Sequence, residues 1–230
     1  MSDAVAWHDG IADRFDAAYT RARGFRERKM VWSRLISRYA PAGARVLDAG
    51  CGSGVLTAVA AEHAAHVLAV DGSAAMLDLA RRRIAIEGLA HVVLRLAMID
   101  ERVLAQEAPF DLVLCSSVLE YVDDFWGTVD TLVSALAHDG MLLFSVPNSH
   151  SVYRHAERLM FRLCGWPRYR RHVRHIIALE ALQRELAQRN LEVMETVYYA
   201  PAPVLSPVLR ALGAARFSDT LVVLACRHRR

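Results

Sequence analysis

Apolar and polar positions in this chain fall into blocks whose spacing changes several times. From Arg45 onward, consecutive apolar runs at 45–49, 66–70, 91–96, 110–115 and 140–146 are separated by helix-spaced stretches at 55–63, 73–88 and 124–137, with a helix or turn near 100–106. An unbroken short apolar run predicts a strand covered on both faces. Strands separated by helices of this length predict parallel pairing, because each crossover has to lie across one face of the sheet. A helix at 179–189 and two more β-type runs, 191–200 and 220–228, complete the pattern. The predicted fold is α/β: a Rossmann-like, doubly wound, seven-stranded sheet, mostly parallel.

The flanks read differently. Residues 1–40 have helical spacing, with Phe15, Tyr19, Phe25, Met30, Trp32, Leu35 and Ile36 as apolar positions, and the charge-dense run Arg21 to Lys29 breaks the pattern at Gly24. Pro41-Ala42-Gly43 closes this lead-in. The alternation also pauses at 149–177 and at 201–219. The expected organisation is a helical N-terminal unit, 1–40, followed by one domain, 41–230, with those two inserts.

Chemistry concentrates at the end of the first run. Asp48-Ala49-Gly50-Cys51-Gly52-Ser53-Gly54 places glycines at 50, 52 and 54 between a buried strand and a helix. Such a turn lets a ligand lie against bare main chain and aims free N–H groups at it. The second run ends in Asp71, one β-α-β unit downstream, where a carboxylate grips ribose hydroxyls in nucleotide-binding sheets. A dinucleotide fingerprint would carry a third glycine at the position of Val55. The acid in the strand end and the spacing D-x-G-x-G-x-G instead resemble the first motif of class I S-adenosylmethionine-dependent methyltransferases.

That resemblance covers about 45–147 and implies more. The N-terminal helices would fold over the cofactor cleft as a lid, with Tyr19 touching cofactor or acceptor. Ser73, after Gly72, is a credible N-cap, and Met76 resembles the methionine that packs beside the adenosine. The family's glycine-aspartate pair after the third strand is replaced by Ala97-Met98-Ile99-Asp100, so that Met98 would pack on the adenine and the Ile99 N–H would reach its ring. Phe110 to Cys115 matches the fourth strand, and the backbone at Cys115 and Ser116 would border the sulfonium. Tyr121 stands where relatives often carry histidine. The resemblance also implies a closing hairpin with one C-terminal strand inserted antiparallel. The overall layout resembles ubiquinone-biosynthesis, magnesium-protoporphyrin and antibiotic-tailoring methyltransferases.

Composition narrows the setting. The chain has 230 residues, is 54% apolar and carries a net charge of +3, with Lys29 its sole lysine. No apolar run is long enough to span a bilayer and the first residues lack a secretion signal pattern, so a cytoplasmic protein is expected. Cys51, Cys115, Cys164 and Cys226 are too scattered for a metal site, and none is expected. Between Arg154 and Arg174 lie seven arginines and one acid, Glu157. Arg154, Arg158 and Arg162 share one helical face and Leu159, Met160 and Leu163 another. Such a helix fits an anionic membrane surface, an anionic acceptor, RNA phosphate, or a solvated face over a core-facing stripe. The proline-broken apolar stretch Pro201 to Leu209 fits a wall over an apolar acceptor.

The expected reaction is methyl transfer from S-adenosyl-L-methionine to an oxygen or nitrogen of a small, partly apolar molecule. Peripheral membrane contact and the oligomeric state stay open, and nucleic acid is disfavoured. An RNA methyltransferase and a nicotinamide-dependent oxidoreductase are the alternatives. For an acceptor hydroxyl, the expected base is His150, just past the fifth strand, or His172, with His175 a further choice.

Overall fold

The computed structural model describes residues 3–100, 104, 106–107, 109–202 and 206–229. Among them seven strands form one sheet: β1 (Ala44–Ala49), β2 (Ala64–Asp71), β3 (Val92–Leu96), β4 (Phe110–Cys115), β5 (Leu136–Pro147), β6 (Leu191–Pro201) and β7 (Asp219–His228). Their order is β3-β2-β1-β4-β5-β7-β6. Neighbours from β3 to β5 are parallel, whereas β7 runs antiparallel between β5 and β6. The fold class and the inserted strand are as expected. Chain order reverses at β1, between β2 and β4, and a crevice opens beyond the carboxyl ends of strands at such a switch point.

Both faces of the central strands are covered. On one face Leu47, Val113 and Phe144 pack with α6 (Phe125–Ser134) and α8 (Leu179–Gln188), through Phe125, Val129, Leu182 and Leu186. On the other, Val46, Leu112 and Leu143 pack with α3 (Arg23–Tyr39), through Trp32, Leu35 and Ile36, and with α4 (Val55–Ala61). Successive residues of one strand thus feed opposite cores, which is why these runs are uniformly apolar. Trp32 Nε1 donates to the Tyr199 hydroxyl at 3.3 Å, giving the largest buried residue of α3 a polar partner inside the core.

Some boundaries differ from expectation. The lead-in folds as α1 (Asp3–Asp9), α2 (Ala12–Arg21) and α3, and its second break falls at Ala22 (φ −97°, ψ 130°) rather than Gly24. Gly24 lies inside α3, close to Ala200 of β6. The helix predicted over 124–137 stops at Ser134, since Leu136 already pairs with Phe110 and the strand continues through a bulge at Asp139 (φ +58°) and Gly140. The helix α5 (Ala74–Glu87) matches its expectation. In the first insert α7 (Val152–Cys164) precedes a 3₁₀ turn at Arg168–His172. The second holds α9 (Ser206–Ala211) and α10 (Ala215–Ser218), while 203–205 of the proline-broken stretch and most of the predicted element at 100–106 lie outside the described residues. Among the described residues no helix is long and apolar enough to cross a membrane.

Candidate active site

At the switch point lies a cleft of about 1870 Å³, walled by the β1–α4 turn, the ends of β2 and β4, helices α1–α3 and the first insert. The three glycines of the turn all have positive φ, at +78°, +54° and +76° for Gly50, Gly52 and Gly54. A Cβ on Gly50 would lie 2.2 Å from Val118 Cγ2, and one on Gly54 2.9 Å from Ala80 Cβ. Only at Gly52 is there room, with Phe15 Cε1 the nearest atom at 3.7 Å. The expectation that all three glycines bare the main chain to a ligand is therefore corrected. Gly50 admits Val118 while still lining the cleft, Gly54 admits Ala80, and Gly52 faces open space in the cleft. Gly54 is absent from the lining.

Two carboxylates frame this turn. Asp71 Oδ2 accepts the Gly52 N–H at 2.7 Å and Oδ1 accepts the Ser73 N–H at 2.8 Å, which holds the acid at the mouth of the glycine turn. Burial raises its pKa, and those two N–H groups oppose the rise. Asp48, buried at the end of β1, accepts the Thr57 hydroxyl at 2.6 Å. Burial, reinforced by the field of Asp71, pushes its carboxyl up to about 6, against the pull of Thr57 and Arg28.

The N-terminal helices are pinned over the cleft. Asp9 accepts from the Ser73 hydroxyl and, at 3.2 Å, from the Ala75 N–H, so α1 joins Ser73 in capping α5. Ser73 accepts the Met76 N–H at 3.1 Å, the N-cap bond expected of it. Arg83 reaches back to Asp16 at 2.7 Å. Phe15, Tyr19 and Phe25 form an edge-to-face trio, with ring centroids 5.1–5.9 Å apart, beside Gly52. Gly72 lies under Met98 Sδ and Val5, and a Cβ there would come within 2.8 Å of the sulfur.

At the tip of β4 the sequence reading missed the principal side chain. Arg28 is buried; its Nη2 donates to the Ser116 carbonyl at 2.8 Å and to its hydroxyl at 2.7 Å, and its Nε has no partner. Burial opposes the cation, but Tyr19, Tyr199 and Glu120 outweigh it and raise its pKa. A signal was present: Arg28, Trp32, Leu35 and Ile36 fall at i, i+4, i+7 and i+8, which puts a charge on the buried stripe of α3. Beyond Ser116, Ser117 is held at φ +57° with its N–H on the buried Ser145 hydroxyl at 2.9 Å. Glu120 follows, only 4% exposed, with Oε2 unpartnered. Burial pushes its carboxyl up to about 7, although its own N–H, Arg28 and Arg154 pull it down.

The first insert supplies the remaining wall. Arg154 Nη1 donates to Glu157 Oε2 at 3.1 Å, the Tyr169 hydroxyl donates to the same oxygen at 2.8 Å, and Arg154 Nε donates to the Thr220 carbonyl at 3.0 Å. The cleft thus brings together Tyr19, Asp48, Gly50, Cys51, Gly52, Asp71, Gly72, Met76, Met98, Ile99 and Ser116. It does not bring Cys115, whose side chain is sealed in the core under β4. Nor do the two expected bases line it. His150 points away, with Nε2 3.8 Å from Glu180 and Nδ1 buried without a partner. His172 packs its ring against Trp7, 5.5 Å between centroids. His175 is tied to the Val122 carbonyl at 2.9 Å.

A family model described as a methyltransferase domain matches residues 23–196, most of the chain and every strand from β1 to β5. The chain belongs to this family. A ubiquinone biosynthesis O-methyltransferase of Methylocella silvestris is 31% identical over 199 residues, covering 84% of this chain and 75% of the relative. A tRNA 5-carboxymethoxyuridine methyltransferase of Escherichia coli is 31% identical over 152 residues, 64% of this chain and 58% of the relative. Against ubiquinone biosynthesis O-methyltransferases of Xylella fastidiosa identity reaches 38%, and there the chain spans about half the length of the relatives it matches (46% for the strain 9a5c protein). Among solved structures, magnesium protoporphyrin IX methyltransferase from Synechocystis, with bound S-adenosylhomocysteine, superposes with a TM-score of 0.71 at 16% identity, over 99% of this methyltransferase-family chain and 100% of its own. At that identity the likeness concerns the fold, a class I methyltransferase sheet.

Proposed function

We propose that the protein transfers a methyl group from S-adenosylmethionine to a hydroxyl of a small, partly apolar molecule. The observation that carries this reading is Asp71 locked onto the Gly52 N–H at the open side of the glycine turn. The residues present fit the cofactor. Gly52 leaves the space a Cβ would fill, Asp71 keeps lone pairs free for a ribose, and Arg28, whose buried Nε has no partner, lines the cleft as a cation suited to an anionic end. In this arrangement Gly52 and Cys51 underlie the methionine half, and Arg28 and Ser116 take its carboxylate and amino ends, beside Tyr19. Asp48 stands behind the turn. Gly72, Met76, Met98 and Ile99 enclose the adenosine.

The bound cofactor supplies a methyl already activated on a sulfonium, so the protein's task is alignment, water exclusion and management of one proton. Holding donor and acceptor in line is worth about 7–11 kcal/mol of barrier. Helices α1 and α2, pinned through Asp9 and Asp16, wall one side of the cleft against water. On transfer of the methyl to the acceptor oxygen, Glu120 would take the hydroxyl proton, and the demethylated cofactor would leave as S-adenosylhomocysteine. A carboxylate near pKa 7 is suited to that transfer at neutral pH. The base is placed at Glu120 rather than at His150 or His172 because Glu120 lines the cleft and they do not. The ubiquinone-pathway relatives support an acceptor with a hydroxyl and an apolar part. The four unpaired cysteines are compatible with the cytosolic location we propose.

An RNA acceptor is the second reading, favoured by the tRNA methyltransferase relative and the exposed arginines of the first insert. Radiolabelled methyl transfer from S-adenosylmethionine to a panel of phenols and catechols with apolar chains, run beside unmodified tRNA, tests both. Label in the phenols supports the proposal; label only in tRNA overturns it in favour of the second.

A further inference from the structure

The helix α7 is inside out. Its polar Arg154 and Glu157 face the cleft and pair there, while Val152, Leu159, Met160 and Leu163 lie 50%, 60%, 40% and 78% exposed on the opposite side. Of the orientations the sequence allows, the one with an apolar stripe towards the core is therefore ruled out. Trp166, just past the helix end, is 53% exposed and lies at the edge of the cleft. Isolated exposed apolar residues are ordinary on a protein surface, but a stripe at i, i+7, i+8 and i+11 of one helix implies a cover.

We infer that this face lies on an anionic lipid bilayer. Charge decides against a second copy of the chain. Glu157 is the sole acid between residues 149 and 177 and it points inward, so the outer surface of the segment carries Arg158 and Arg162 beside the stripe and no acid to pair with them. Two such surfaces brought together about a two-fold axis would repel. An anionic interface would instead receive the stripe among its acyl chains and the arginines at its headgroups. The stripe also separates a bilayer from an RNA partner, since phosphate contacts need the arginines but leave the leucines uncovered. The inner face of the same helix walls the cleft through Tyr153, Arg154 and Glu157, so docking brings the site next to the phase in which an apolar acceptor resides.

Co-sedimentation of the full chain with vesicles tests this without relying on methyl transfer. Vesicles of mixed phosphatidylglycerol and phosphatidylcholine should retain the protein at least tenfold better than phosphatidylcholine alone. The double variant Leu159→Glu/Leu163→Glu should lose that retention while keeping its circular dichroism and its affinity for S-adenosylhomocysteine. Each surface cation contributes about fivefold at an anionic surface, so Arg158→Gln/Arg162→Gln should weaken binding about 25-fold. Equal retention of wild type and the leucine variant overturns the inference, as does no retention of wild type. A concentration-dependent dimer that the leucine variant abolishes, with no vesicle binding, overturns it in favour of self-association. Binding to tRNA that only the arginine variant loses overturns it in favour of RNA.

Discussion

Asp71 and Gly52, nineteen residues apart, share a 2.7 Å hydrogen bond from the glycine's N–H to the acid's Oδ2. The bond joins the two halves of the proposed cofactor site, the turn after β1 and the tip of β2. The main chain at Gly52 can take its left-handed conformation because no Cβ is present, and the acid stays at the cleft because that N–H holds it.

Asp71→Ala removes both the ribose acceptor and the tether on the turn. Losing hydrogen bonds to a buried charge costs about 1.5–3 kcal/mol each, which corresponds to at least a tenfold loss of affinity for S-adenosylhomocysteine. Gly52→Val forces a β-branched residue to positive φ and fills the open space beside Phe15, so binding should be abolished. Calorimetric titration reads both, and unchanged affinity in either variant would contradict the assignment of that residue.

Arg28 offers a sharper dissection. If it holds the carboxylate of the amino-acid half, Arg28→Met should weaken S-adenosylhomocysteine at least tenfold and leave methylthioadenosine, which lacks that carboxylate, nearly unchanged. A parallel loss for both ligands would mean that the variant has disturbed the tip of β4 through Ser116 instead.

How much of this was legible in the chain varies with the physics involved. The strands at 45–49 and 110–115 were plain because both faces are buried, leaving an apolar run that no surface helix produces. Asp71 was plain because one β-α-β unit sets its distance from the glycines. Arg28 was hidden by the charged residues around it, although its spacing from Trp32 exposed it. The direction of α7 could not be read, because periodicity defines a face without saying what the face meets. His150 stands out by its place just past β5 and His172 by its place in the basic insert, but sequence position does not give side-chain direction, and His150 meets Glu180 and His172 meets Trp7. The separate tasks of Gly50 and Gly54 depend on Val118 and Ala80, contacts that no local pattern encodes.

Asp48 sets a pH dependence of stability. Its carboxyl is held near 6 in the fold against 3.8 in an unfolded chain, so the native state binds the proton more tightly. Its contribution is favourable below about pH 4, declines as pH rises through 6, and above that leaves the ionised acid costing about 3 kcal/mol. Asp48→Asn keeps an acceptor for Thr57 without the charge. The variant free of cofactor should therefore melt higher than wild type at pH 7.5, with the gain falling to about a third of that near pH 4.5. Thermal melts at the two pH values check this, and an equal difference at both would show that Asp48 is not the titrating group.

Glu120 makes the proposed mechanism testable through its own titration. A base must be unprotonated to act, so kcat should rise with pH through about 7 and level off above it, following a carboxyl that burial has raised. Glu120→Gln keeps the shape and the neighbouring Arg28 but accepts no proton, so kcat should fall by about 10²- to 10⁴-fold and lose that pH dependence. Affinity for S-adenosylhomocysteine should stay within a fewfold of wild type. The alternative is that Glu120 only balances Arg28 and Arg154. In that case the variant would lose stability or cofactor affinity while its remaining turnover kept the pH profile of wild type. Rescue by Glu120→Asp would be weak in either case, since a shorter chain withdraws the oxygen from the cleft, so the pH profile of the glutamine variant is the measurement that decides.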